Sequence, residues 1–174
     1  MTTMTDQDLL ETYDRLFTNA ANIIMMCQTI DYEMRRNLLR IADGPEREKI
    51  LDYEHFSYLD ALDLLAGKTA EIEISGENED AAREDGVSQE LLLLSADAFG
   101  KLREVERIWK YWAFDGFKYL MGEEVEDSDV YESVLAGLSG KAQRDRIFVR
   151  EAMKLLKGQD AWTGFPCDRA DGIN

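Results

Sequence analysis

The stretch DQDLLETYDRLFTNAANIIMMCQTIDYEMRRNLLRIA, residues 6–42, decides the fold. Its apolar side chains recur at spacings that alternate between three and four residues, which is the repeat of one face of an α-helix. These positions are Leu9, Tyr13, Leu16, Ala20, Ile23, Cys27, Ile30, Met34, Leu38 and Ile41. Thr5, with Asp8 three residues later, is typical of a helix N-cap. The stretch predicts one long amphipathic helix suited to a helical bundle.

The segments that follow continue the helical pattern. Asp43-Gly44-Pro45 ends the first helix, and Pro45 suits the start of a second helix that we expect to continue through Leu65 to Gly67. So short a connection favours antiparallel packing of the two helices. Residues 68–87 are rich in Asp and Glu, and we interpret them as an acidic loop.

A third helix is expected from a cap at Ser88 to about Leu120, with Gly100 and Gly116 as points of close approach. A fourth begins after a cap at Asp127 or Ser128 and is expected to be interrupted at Ser139-Gly140. We therefore predict an all-α protein, an antiparallel bundle of four to five helices with an acidic loop between the second and third.

The composition fits one globular domain, since 45% of the 174 residues are hydrophobic and 32% are charged. We expect residues 1–158 to form a single helical-bundle domain and residues 159–174 to form an irregular C-terminal tail. Cys27 and Cys167 stand far apart, which fits a reducing compartment, and no apolar run has the length of a membrane span. A cytoplasmic protein is expected.

The charge balance is strongly acidic, with 36 acids against 20 bases and a formal net charge of −16. Phosphate backbones and anionic membrane surfaces repel such a chain, so direct nucleic-acid binding and membrane association are not expected. A basic protein partner fits the sign of the charge, and so does mimicry of nucleic-acid charge.

His55 is the only histidine, which excludes zinc sites and helix motifs that need two or more. The glycines are scattered singly, and none forms a phosphate-binding loop. We expect no cofactor, and the sequence favours a noncatalytic protein over an enzyme.

Asp52 and His55 are three residues apart and are expected on one face of the second helix. With Glu104 or Glu106 they would resemble part of a ferritin-like carboxylate site for metal. The alternative interpretation is a surface Asp–His contact or a partly buried, hydrogen-bonded His55. Asp31 falls on the apolar stripe of the first helix, where Arg35 is placed four residues on to pair with it.

The most distinctive stretch is an aromatic run in the third helix, with large apolar side chains on both helix faces. One bundle core cannot bury both faces, so a second buried surface is implied, formed by a homodimer partner, another protein or the C-terminal tail. The candidate partner-binding residues are Trp109, Trp112, Phe114 and Phe117.

Three segments resemble the HEPN superfamily, helical proteins of bacterial defence and toxin–antitoxin systems. They are CQTIDYEMRR at 27–36, FSYL at 56–59 and RIWKYWAF at 107–114. The resemblance covers roughly residues 6–157, and it implies a helical protein that commonly dimerises and, in active members, cuts RNA.

Active members of that superfamily carry an Arg, four to six residues and then a His, whereas here Arg107 is followed at that spacing by Trp112. Between Arg47 and His55 there are seven residues. The resemblance therefore implies a member without the intact motif. We expect a noncatalytic interaction or regulatory protein of a bacterial or phage defence-related system. An RNA-cleaving protein that uses Arg47 and His55 and a ferritin-like metal-binding bundle are the alternatives.

Overall fold

The computed structural model describes residues 4–74, 94–121 and 128–157, and all the regular structure in those ranges is helical. The helices are α1 (Asp6–Ile41), α2 (Gly44–Leu51), α3 (Tyr58–Ile74), α4 (Ala96–Lys110), α5 (Lys118–Met121) and α6 (Ser128–Lys157). A single π-helical turn, Tyr111–Asp115, follows α4. The predicted all-α helical bundle is confirmed.

Helix α1 begins where the sequence predicts. The Thr5 hydroxyl oxygen accepts a hydrogen bond from the backbone N–H of Asp8, and the Asp8 carboxylate accepts one from the backbone N–H of Thr5. These reciprocal bonds satisfy two N–H groups that have no partner within the helix. The predicted stripe is buried from Leu16 to Leu38, so the 36-residue length of α1 is set by an N-cap and a continuous apolar face.

The second predicted helix is in fact two helices, so its expected course from Pro45 to Gly67 is wrong. Helix α2 starts from Asp43, whose side chain accepts from the backbone N–H of Glu46, and it ends at Leu51. Helix α3 starts at Tyr58 because Ser57 and Asp60 exchange hydrogen bonds between side chain and backbone N–H.

Helix α3 also runs beyond the predicted end at Gly67, as far as Ile74. The first residues of the expected acidic loop at 68–87 are therefore helical. Thr69 is buried there, and its hydroxyl donates to the carbonyl of Leu65. The rest of that loop lies outside the described residues, as does the expected cap at Ser88.

Helix α4 begins at Ala96, where the Ser95 hydroxyl accepts from the backbone N–H of Ala98. Helix α6 passes through Ser139-Gly140 without a break, so the predicted interruption there is wrong. A helical glycine costs only about 1 kcal/mol relative to alanine, and the buried stripe of Leu138, Ala142 and Val149 continues across it.

The described residues divide into two compact units. Unit one comprises residues 4–27, 107–121 and 128–151, and unit two comprises residues 28–74, 94–106 and 152–157. Trp112 is the largest fully buried side chain of unit one, while Ile30, Met34 and Leu62 are fully buried in unit two. The expected C-terminal tail at 159–174 lies outside the described residues. Nowhere in the described ranges is a helix both long enough and apolar enough to cross a membrane.

Candidate functional sites

Unit one contains a chain of aromatic rings, here called the aromatic ladder. The ring centroids of Phe17 and Phe117 lie 5.2 Å apart and nearly parallel, and Tyr13 stacks on Phe17 at 6.0 Å. Phe117 meets the edge of Trp112 at 5.9 Å. The members of the ladder are Tyr131, Tyr13, Phe17, Phe117, Trp112 and Tyr111. Such stacked and edge contacts contribute about 0.5–1.5 kcal/mol each beyond simple burial, so they favour the observed positions of the rings.

The most buried ring of the ladder, Trp112, is held by a charged side chain. Trp112 is 1% exposed, and its indole Nε1–H donates to Asp145 Oδ2 at 2.8 Å. Lys141 Nζ donates to the same oxygen at 2.5 Å and lies 4.3 Å from the ring centroid of Tyr111. One carboxylate therefore neutralises a lysine and satisfies a buried indole at the same time.

Gly116 and Cys27 both lie in tightly packed parts of unit one. A Cβ on Gly116 would lie 3.0 Å from Trp112 Cε3, so the predicted close approach is present there. The same prediction for Gly100 is wrong, because nothing lies within 4 Å of a Cβ at that position. Burial, with a smaller contribution from the charge of Asp145, raises the pKa of the Cys27 thiol to about 12. This cysteine is a core residue rather than a nucleophile.

The most exposed ring of the ladder is Phe17, at 53%. Of the four sequence-predicted partner residues, Phe114 is 74% exposed, Trp109 and Phe117 are half-buried, and Trp112 is buried in its own unit. In the aromatic run, Trp112 therefore belongs to the core and Phe114 lies at the surface. Large apolar side chains on both faces of this segment are what the sequence implies.

Unit two is organised around the buried guanidinium of Arg35. Its Nε donates to Asp31 Oδ1 at 3.0 Å, which confirms the predicted ion pair. Its Nη1 donates to the carbonyl of Ile50 at 2.8 Å, and its Nη2 donates to the carbonyl of Phe56. Those carbonyls belong to the end of α2 and to the segment before α3, where helical partners are absent. Arg35 therefore ties the break between α2 and α3 to α1.

The aromatic ring of Tyr53 covers this cluster, with its centroid 4.1 Å from the Arg35 guanidinium carbon. Burial raises the pKa of Asp31, against the opposing effect of the hydrogen bond and charge of Arg35. The sequence signals the Asp31 pairing through its i,i+4 spacing, but nothing in it signals the two carbonyls.

Asp52 and His55 lie in the break between α2 and α3, away from the helix face on which the sequence places them. Asp52 Oδ2 lies 3.0 Å from His55 Nδ1, and Asp52 Oδ1 accepts from the backbone N–H groups of Glu54 and His55. Desolvation, the largest single influence, acts to raise the pKa of Asp52, but the hydrogen bonds from His55 and Glu54 and the charge of His55 together outweigh it and lower that pKa. The surface Asp–His contact is present, with the His55 side chain 78% exposed.

The other candidates are placed as follows. Arg47 donates to the carbonyl of Leu39. Glu104 is half-buried on α4. In the part of the chain that the structure describes, no group of three or more His, Cys, Asp or Glu residues is arranged to hold a metal ion. At the position where the resemblance requires a catalytic His stands the core residue Trp112.

No protein-family model, curated protein or solved structure matches this chain. Sequence reasoning missed Lys141 and Asp145, although their i,i+4 spacing in a helix was a usable signal.

Proposed function

We propose that this chain is a noncatalytic protein-interaction or regulatory protein that binds a protein partner, or a second copy of itself, through exposed aromatic side chains of unit one. The observation that carries the proposal is Phe114, 74% exposed within a run whose neighbour Trp112 is fully buried. Aromatic side chains are enriched at the energetic centres of interfaces, because they bury large areas with few rotatable bonds.

The net charge of −16 and the fixed aromatic ladder support this proposal. A strongly charged surface steers association with a partner of opposite sign. By the resemblance to the HEPN superfamily, the setting is a bacterial or phage defence-related system.

The test compares the wild-type chain with Phe114→Asp and with a matched control, Ile147→Asp, whose side chain is 52% exposed in the same unit. Affinity capture from the native cell and light scattering on the purified protein are the two readouts. We expect a stoichiometric complex or a dimer that Phe114→Asp abolishes and Ile147→Asp retains. A wild-type chain that forms neither would refute the proposal, as would a complex that is indifferent to Phe114.

The second candidate is an RNA-cleaving protein, and the observation that favours it is the contact between Asp52 and His55 Nδ1. A carboxylate that orients an imidazole is the arrangement of a general base. This candidate predicts RNase activity in the purified protein that His55→Ala removes while the far-UV circular dichroism spectrum is unchanged. Activity that persists in His55→Ala, or is absent from the wild type, rejects it.

A further inference from the structure

A second apolar stripe runs along the outer face of α1 in unit one. Leu10 is 66% exposed, Phe17 is 53% exposed and Met25 is 49% exposed. Asp14 and Ala21, between them, are exposed as well. At 3.6 residues per turn these positions fall within about 80° of one another around the helix axis and extend about 22 Å along it. We call these five residues the outer face of α1.

The shape of this face fits another helix. Its apolar residues repeat with a helical period over four turns, which is the pattern that side-by-side helix packing needs. Exposed apolar residues scattered singly need no explanation, but Leu10, Phe17, Ala21 and Met25 share one helix face, interrupted at Asp14, and such an alignment is a mark of an interaction site.

The central ring of the face is preorganised. Phe17 is stacked between Tyr13 and Phe117, with interplanar angles of 12° and 14°. A side chain whose ring is already stacked on its neighbours loses less conformational entropy when a partner covers it. This separates Phe17 from an ordinary exposed residue and makes it the expected centre of the contact.

The charges beside the face are acidic. Asp14 lies within it, and Asp6 and Glu11 are exposed along its margins. Arg15 lies about 100° round the helix from Asp14, with its guanidinium 3.9 Å from Glu11. A second copy of the chain, with net charge −16, would bring like charges together across this face.

We propose that the outer face of α1 binds one amphipathic helix of another protein, in which Lys or Arg residues flank the apolar stripe. The inference goes beyond the proposed function, because it names a second contact surface on the same unit and the class of partner that would fill it. Its contacts are separate from Phe114, so each can fail without the other.

The test uses two synthetic peptides of about 18 residues with identical leucine positions at helical spacing, one with Lys and one with Glu at the flanking positions. Binding is measured by fluorescence anisotropy at low and at high salt. We expect the Lys peptide to bind and the Glu peptide not to bind, with weaker binding at high salt.

Four variants localise the contact. Leu10→Ser combined with Met25→Ser should weaken binding of the Lys peptide at least about tenfold, while Ile147→Ser should not. Asp14→Lys should weaken it more than Glu48→Lys, which makes the same change of charge on the exposed surface of unit two. Circular dichroism confirms that each variant is folded.

Equal loss in the Leu10/Met25 and Ile147 variants, or equal binding of the two peptides, would overturn the inference. A dimer that the Leu10/Met25 variant dissociates would also overturn it, because the occupant would then be a second copy. Failure of the peptides while Phe114→Asp still abolishes a native complex would overturn this inference and leave the proposed function standing.

Discussion

Replacing Arg35 by alanine should destabilise unit two more than any other single change of a charged residue that the structure describes. The side chain is 3% exposed, and its loss leaves the buried carboxylate of Asp31 without its counter-ion. The carbonyls of Ile50 and Phe56 lose a donor at the same time.

The expected cost is about 3–5 kcal/mol, the range for removing one partner of a buried ion pair. The Ile50 carbonyl, whose bond to Arg35 is buried, adds the cost of an acceptor left without a donor, whereas water can reach the Phe56 carbonyl in the largely exposed break at 52–57. Since whole domains have unfolding free energies of about 5–15 kcal/mol, this is a large fraction of the total. Arg35→Lys keeps the charge but lacks the fork of donors, so its cost should be intermediate.

Urea unfolding followed by far-UV circular dichroism measures the change. The matched control is Arg36→Ala, because Arg36 is 52% exposed and its contact with Glu33 spans 3.8 Å, so it should cost less than about 1 kcal/mol. A double-mutant cycle with Asp31→Ala isolates the pair. Equal costs for Arg35→Ala and Arg36→Ala, or a coupling energy near zero with Asp31, would refute the reasoning.

Three further outcomes are expected. Gly116→Ala should lower the unfolding free energy by about 1–3 kcal/mol, because the added Cβ would meet the buried Trp112. Gly137→Ala, where nothing lies within 4 Å of the added Cβ, should raise it by about 0.5–1 kcal/mol. Thermal unfolding of the two variants tests both expectations. Cys27, with its pKa raised to about 12, should remain unalkylated by iodoacetamide at pH 8 in the folded protein and react in urea, as peptide mass spectrometry would show. The pKa of Asp31 is raised in the folded state, so protonation of its carboxylate stabilises the fold. This stabilisation is complete below the unfolded pKa of 3.8 and is lost as the pH rises through the folded pKa. The wild type should therefore gain stability relative to Asp31→Asn as the pH falls from the folded pKa to the unfolded pKa.

The sequence predicts the helices well where a cap and a continuous stripe agree. Thr5 and Asp8 mark the start of α1, and the buried residues from Leu16 to Leu38 follow the predicted spacing. Local physics decides both features, so neighbouring residues contain the information needed.

The break between α2 and α3 was not predicted because the apolar spacing continues through Phe56 and Leu59 without Pro or Gly. Ser57 and Asp60 form a capping box that could have been noticed as a helix start. The other cause, Arg35 binding carbonyls of Ile50 and Phe56, is a long-range contact with no local signature.

The candidate sites also contain some features that neighbouring residues predict and others that long-range contacts decide. The pairing of Asp31 with Arg35 and the two-faced aromatic run follow from helical spacing. Helical spacing does not predict which aromatic residue is buried. Trp112 is buried with its indole bonded to Asp145, which also binds Lys141, and both residues lie on a helix distant in sequence.

The π-helical turn at Tyr111–Asp115 contains one residue more than an α-helical turn would. Its defining hydrogen bond joins the Gly116 N–H to the Tyr111 carbonyl at 2.7 Å, one residue further than in an α-helix. Deleting a single residue of this turn, such as Ala113, would restore the hydrogen bonding of an α-helix and rotate the residues that follow by about 100° about the helix axis. Phe117 would then leave Phe17, so the segment tolerates changes of side chain more readily than changes of length.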